Sequence, residues 1–240
     1  MIQVTYLDHS GFVITTQKAI LVFDYYRDPS HSLNSILGNN PDLPVVFFAS
    51  HKHPDHFNTS IYEIAQNHQR VYVLSNDIPA MQVPDTLQVQ GMSPGDYVED
   101  LPGGISVRAY HSTDKGVSFL VTLPDNRKIF HAGDLNDWHW QDESTFKEVE
   151  KSHLQFTKVL NRIASDNPEI FIAMFPVDPR QGSDFYRGAR EFLTAIKVDN
   201  FIPMHFDGKH QQACQFGDYV TPQTAHTYCL SNPGHRIEIE

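Results

Sequence analysis

The sequence predicts an α/β protein, and three observations carry that expectation. The run Val45-Val46-Phe47-Phe48-Ala49 has the length and the β-branched and aromatic content of a buried strand. Beyond a short loop, Ser60-Ile61-Tyr62-Glu63 matches a capping box, and Ile61, Ile64 and Ala65 give the helical period that should continue from it. Val71 to Leu74 then reads as a second buried strand, which completes the strand, loop, helix, strand order of an α/β unit.

In chain order, Gln3 to Leu7, Phe12 to Thr16 and Ala19 to Phe23 form a predicted β-meander, with turns at Asp8-His9-Ser10-Gly11 and Gln17-Lys18. Asp24 closes the third run, and Tyr25 to Pro44 reads as a long loop. Asp96 to Glu99, Ile105 to Tyr110 and Val117 to Leu123 are β-prone, as is Lys128 to Asp134. Phe146, Val149, Val159, Leu160 and Ile163 outline an amphipathic helix over Ser144 to Ala164, and Ile170 to Met174 is a strand. Phe185, Ala189, Phe192, Leu193 and Ile196 keep helical spacing, which marks core packing. A short strand, Phe201 to His205, follows. Without a linker, a low-complexity tract or an obvious sequence repeat, residues 1–240 are expected to form a single domain.

The chain has 240 residues, 40% of them hydrophobic, and a formal net charge of -11. That acidity argues against a broad phosphate-binding surface, so no nucleic-acid partner is expected, whereas bound cations would still let a site accept a small anion. The N-terminus lacks a signal-peptide pattern and no apolar run reaches membrane-spanning length. A soluble, cytoplasmic protein without a membrane partner is therefore expected. Cys214 and Cys229 form neither a CxxC pair nor a disulfide framework and read as free thiols. Oligomeric state is not legible.

The chemistry concentrates in Ser50-His51-Lys52-His53-Pro54-Asp55-His56, where three imidazoles and a carboxylate follow a rigid strand. Imidazole nitrogen and carboxylate oxygen suit zinc, manganese and iron. In extended backbone His51 and His53 project to the same side and reach one ion, while the turn at Pro54 redirects Asp55 and His56 towards a second. His111 also stands at a strand end before a polar turn. Asp134 ends another, after Gly133, where the backbone has room for close approach. His205 is delivered by a short apolar strand and is preferred to His210, which lies in a polar loop. His131, on the opposite side from its neighbours, reads as a bonded structural histidine. His9 sits on a turn, either bonded locally or supporting the metal ligands from outside.

His51-x-His53-x-Asp55-His56, His111, Asp134 in Phe130-His131-Ala132-Gly133-Asp134 and His205 in Ile202-Pro203-Met204-His205-Phe206 together resemble the ordered ligand set of the metallo-β-lactamase fold superfamily. Within it the meander, Tyr110-His111-Ser112 and Pro203-Met204-His205 are most similar to the ascorbate-6-phosphate-lactonase-like metal-dependent hydrolases. After His56, Phe57-Asn58-Thr59-Ser60 departs from the glycine-containing turn of the glyoxalase and ribonuclease branches. The resemblance implies a four-layer αβ/βα sandwich, with the metal site at the edge of two facing mixed sheets. It also implies that His51, His53 and His111 hold one divalent ion, that Asp55, His56 and His205 hold another, and that Asp134 bridges. Zinc is expected first, manganese next and iron last.

The implied reaction is hydrolysis of a small, anionic ester, lactone or phosphoester by a hydroxide bridged between two metals, with Asp55 and Asp134 as catalytic residues. Trp138, His139 and Trp140 are candidate pocket walls; Arg180, Tyr186 and Arg187 are candidates for holding the substrate's negative charge. Three rivals remain at this point: a nuclease of the same fold, a single-iron oxygen-using enzyme, and a non-catalytic, metal-stabilised binding protein.

Overall fold

The computed structural model describes residues 1–218 and 225–240. The first sheet is built from β1 (Ile2–Asp8), β2 (Gly11–Thr15), β3 (Ile20–Phe23), β4 (Val45–Ala49), β5 (Arg70–Ser75) and β6 (Val89–Met92). The second contains β7 (Tyr97–Leu101), β8 (Ile105–His111), β9 (Val117–Thr122), β10 (Lys128–His131), β11 (Glu169–Pro176), β12 (Lys197–Met204) and β13 (His226–Thr227). β14 (Arg236–Ile239) returns to pair antiparallel with β1 and completes the first sheet. The helices are α1 (Ser32–Asn39), α2 (Phe146–Asp166), α3 (Arg187–Ala195) and α4 (His210–Cys214). Among the described residues no helix is long and apolar enough to cross a bilayer.

Both sheets are mixed and repeat one plan. The strand orders are β14-β1-β2-β3-β4-β5-β6 and β13-β12-β11-β10-β9-β8-β7. In each, an antiparallel meander runs into parallel strands at β3/β4 and at β10/β11. The strands read as continuous apolar runs because both faces are buried. In β4, Val46 and Phe48 face the core shared with the second sheet, whereas Val45, Phe47 and Ala49 pack outward with Leu33, Ile36 and Leu37 of α1. On the far side α2 and α3 cover the second sheet with Phe156, Leu160, Ile163, Phe192 and Leu193. The result is the expected αβ/βα sandwich.

Four local expectations are corrected. The capping box at Ser60 leads only to a 3₁₀ turn at Thr59–Tyr62, capped by the Asn58 side chain. Ala65 has φ 57°, and the Arg70 guanidinium donates to the carbonyls of Tyr62 and Ile64, so a continuing helix finds its acceptors taken. Conversely the supposed loop Tyr25 to Pro44 contains α1, whose first amides donate to the carboxylate of Asp28 rather than to an adjacent cap. β10 stops at His131, three residues before Asp134. Finally, Cys214 and Cys229 form a disulfide instead of free thiols, with Cα atoms 5.4 Å apart. The pairing arises because α4 packs on β12 and β13 pairs with β12, which brings both cysteines to one edge.

The parallel arrangement places the carboxyl ends of β3, β4, β10, β11 and β12 along one rim, where open α/β sheets usually bind ligands. Two glycines let the sheets meet there. Gly116 has φ 63° and a Cβ on it would collide with the carbonyl of Ser50; Gly133 has φ 53° and a Cβ there would lie 2.8 Å from Ser50 Cβ. Gly116→Ala should therefore destabilise the protein by about 2 kcal/mol or more and displace His51, lowering bound metal. Thermal unfolding and metal content of the purified variant check both effects.

Candidate metal centre

Six chain segments deliver the site. Ser50 and the His51 to His56 loop follow β4, Asp24 follows β3, and Asp134 lies just past β10. Asp178 follows β11, His205 follows β12, and His9 occupies the turn between β1 and β2. His51, His56, Asp134, His205, Asp24 and Asp178 are all buried. His9, Asp24 and His205 hold left-handed backbone, with φ of 54°, 42° and 63°. Such conformations persist only where surrounding contacts over-determine them.

The donors form two groups that share a wall. In the first, His51 Nε2 lies 3.0 Å from His53 Nδ1 and 3.2 Å from Asp134 Oδ2. In the second, His56 Nε2 and His205 Nε2 lie 3.1 and 3.3 Å from the other Asp134 oxygen, Oδ1. His9 and Asp55 complete this group, whose members each offer a ligand atom within 4.8 Å of the others. Asp134 thus turns one oxygen to each group.

A layer of acceptors orients the imidazoles. Asp24 accepts from the Ser50 amide at 2.7 Å, from Ser50 Oγ at 2.6 Å and from His56 Nδ1 at 2.7 Å. Ser50 gives its one hydroxyl proton to Asp24, so its Oγ accepts from His51 Nδ1 at 2.9 Å. Asp178 Oδ2 accepts from His205 Nδ1 at 3.0 Å. Each of these histidines consequently presents Nε2 towards Asp134. A lone pair aimed at a carboxylate repels it unless a metal ion, or the proton of an imidazolium, lies between them. His9 Nε2, His56 Nε2 and Asp134 Oδ1 are buried without hydrogen-bond partners, so the residues fit divalent metal ions.

The electrostatics describe the site without metal, where protons take the place of the ions. Burial would raise the Asp134 carboxyl, but His56, His205 and His51 hold it well below the usual carboxylate range. Burial opposes charge on His56, yet Asp134 and Asp24 raise it to about 10. The Asp178 carboxyl, despite burial, is kept at about 2 by His205 and Arg180. These buried carboxylates stay ionised beside positive charge, which the His56 imidazolium supplies without metal and divalent ions would supply when bound.

Several expected site residues lie elsewhere. His111 ends β8, exposed and outside both donor groups. Its backbone neighbours touch the site, because Val117, its partner across β8/β9, donates to the Ser50 carbonyl and Thr113 Oγ1 donates to the Asp134 carbonyl, but the His111 side chain lines a cavity of about 590 Å³ with Arg108, Lys158 and Arg162. His139 is buried and its Nε2 pairs with the Asp184 carbonyl at 3.2 Å, which makes it a packing residue. Arg187 is bound to the buried carboxylate of Asp137 at 2.7 and 2.6 Å and is committed to that pair. Tyr186 caps the start of α3 and lies under the Arg190 guanidinium. Trp138 does reach the site: its ring is 5.3 Å from that of His205, its Nε1 donates to the Asp134 carbonyl, and Trp140 stacks behind it. Arg180 is also close, with Nη2 3.3 Å from His205 Nδ1. His210 starts α4, outside both groups, and His131 is buried with Nε2 on the Ser10 carbonyl.

Sequence reasoning assigned neither Asp24 nor Asp178 a part in orienting the histidines, placing Asp178 only in the Asp178-Pro179-Arg180 segment considered for anion binding, and left His9 outside the ligand set. The available signal was position: each follows a strand, as the recognised ligands do.

The chain matches the family described as beta-lactamase superfamily domain over residues 3–182, and it belongs to that family. Among relatives, it is 27% identical over 221 residues to a UPF0173 metal-dependent hydrolase of Thermococcus kodakarensis, covering 86% of this chain and 85% of that one. A UPF0173 metal-dependent hydrolase of Pyrococcus furiosus is 27% identical over 223 residues, with coverage of 86% and 85%. In fold the chain is similar to Igni18, a metallo hydrolase of Ignicoccus hospitalis (TM-score 0.69, 18% identity, 100% of this chain and 99% of that one). It is also similar to the diiron β-hydroxylase of Streptomyces venezuelae (TM-score 0.63, 10% identity, 99% of this chain and 54% of that one). The two donor groups and the family are consistent with a metal-dependent hydrolase.

Asp24→Asn keeps the volume of the side chain but replaces an acceptor oxygen with an amide donor, against His56 and Ser50. It should weaken metal binding about 10- to 100-fold, the usual effect of losing a group that orients a ligand. Zinc titration of the metal-free variant against a chromophoric chelator measures this.

Proposed function

We propose that this protein is a two-metal hydrolase of a small, anionic ester, lactone or phosphoester. The observation that carries the proposal is Asp134, whose two oxygens face two separate donor groups. Bound there, two divalent ions would supply Lewis acidity and a nucleophile at neutral pH. Zinc is the proposed metal, with manganese next.

The chain's own residues divide the remaining tasks. Asp134 holds the two donor groups in register, and Asp24 and Asp178 keep His56 and His205 turned inward. Trp138 walls the His205 side and restricts water. Asp55, with its side chain 47% exposed, is placed to accept a proton on Oδ2 and pass it to solvent. Arg180 is anchored on Asp178, while its Nη1 makes only a 3.5 Å contact with Asp207. That leaves a guanidinium edge at the rim for a carboxylate or phosphate. A single domain spanning 1–240 and a small-molecule substrate belong to the same reading; a cytoplasmic location fits it only where the cytosol leaves the Cys214–Cys229 disulfide oxidised.

Protein purified without added metal or chelator should contain about two equivalents of zinc or manganese. Asp134→Ala should reduce this content and remove at least 99% of hydrolytic activity towards lactone or phosphoester probes, while circular dichroism remains that of a folded protein. Turnover retained by Asp134→Ala would remove the residue from the mechanism, and one equivalent of iron would favour the oxygen-using reading. Arg180→Ala should raise KM about tenfold or more for an anionic substrate and much less for a neutral analogue; equal increases would reject the clamp.

A further inference from the structure

Resting on the two-metal reading, we infer that His9 Nε2 is a protein ligand of the second ion, making that position closed and the His51 position open. The second group offers five donors, His9, Asp55, His56, His205 and Asp134 Oδ1, one more than a closed zinc site takes, so His9 and Asp55 compete for one place, whereas the first offers only His51, His53 and Asp134 Oδ2. Four donors close a zinc site, and three leave a position for water or substrate.

His9 is positioned from several directions. Its amide donates to Asp8 Oδ1 at 2.8 Å, and Arg27 holds the other oxygen of that carboxylate. Its carbonyl accepts from the His205 amide at 3.2 Å, which ties the turn to the neighbouring ligand. Its ring lies 4.2 Å from that of His205 and 5.3 Å from that of His56. The residue is only 7% exposed, and Nε2, buried without a hydrogen-bond partner, lies 3.4 Å from Asp55 Oδ2. Asp55 by contrast is nearly half exposed, so His9 is the better enclosed of the two donors. With His9, His56, His205 and Asp134 around one ion, Asp55 becomes an accessory group at the mouth.

The test is zinc titration of metal-free full-length protein against a chromophoric chelator, with circular dichroism and thermal unfolding as checks of the fold. Wild type should take up two equivalents, one bound at least tenfold more tightly. His9→Asn, which tolerates the positive φ, should weaken that tighter ion at least tenfold, and Asp55→Asn should weaken it less. His9→Gly, which relieves the turn backbone, should show the same loss; tight binding retained in His9→Gly would overturn the proposal. So would unchanged binding of both ions by His9→Asn, or a larger loss in Asp55→Asn. If wild type takes up only one equivalent, the two-metal reading fails. Loss of that ion in His9→Asn would still support His9 as its ligand, and its retention would overturn the inference.

Discussion

The Asp134 carboxylate, buried at the rim where the two sheets meet, receives His51 and His56 from the first sheet and His205 from the second. The surrounding structure answers the requirements of this one anion. An ionised carboxylate out of water needs compensating charge, and neutral imidazoles whose Nδ1 atoms are already bonded offer it lone pairs, so either protons or metal ions must stand between them. Divalent ions resolve both demands. The layer of Asp24, Ser50 and Asp178 follows from the same requirement, because it fixes which nitrogen each histidine presents.

Holding that geometry depends on rigid elements. The parallel pairs β3/β4 and β11/β12 place Asp24 beside Ser50 and Asp178 beside His205. The Asp24 amide also bonds the Phe48 carbonyl, continuing the sheet into the site. Backbone in the left-handed region at His9, Asp24 and His205 has an energetic cost, of order 1–3 kcal/mol each. Burial of Phe23, Phe48 and Phe119 between the sheets offsets it, at roughly 1.5–3 kcal/mol per side chain. The site and the core are therefore coupled through the same strand ends.

Much of this organisation was legible residue by residue. β4 announces itself through five consecutive apolar residues, and its loop carries three histidines and an aspartate in six positions. Asp134 and His205 were readable as polar residues delivered by apolar strands. The helix expected at Ser60 failed because Ala65 and Arg70, outside the capping motif, control that backbone. α1 was hidden because its capping carboxylate belongs to Asp28 and its apolar face is only three residues. His111 has the strand-end position of a ligand and a backbone partner, Val117, bonded to Ser50, but its side chain is exposed and outside both donor groups.

The linear chain determined the donor types, their order and the rigid strands that carry them, since these depend on local pattern and on spacing within a few residues. The duplicated sheet plan, the orientation of each imidazole and the places of His9, Asp24 and Asp178 were decided only in three dimensions. Their partners are distant in sequence: Asp24 meets His56 across 32 positions, and His131 meets Ser10 across 121. A carboxylate at a strand end has no intrinsic role. It acquires one when parallel pairing brings a histidine within hydrogen-bond reach and burial removes the water that would otherwise compete.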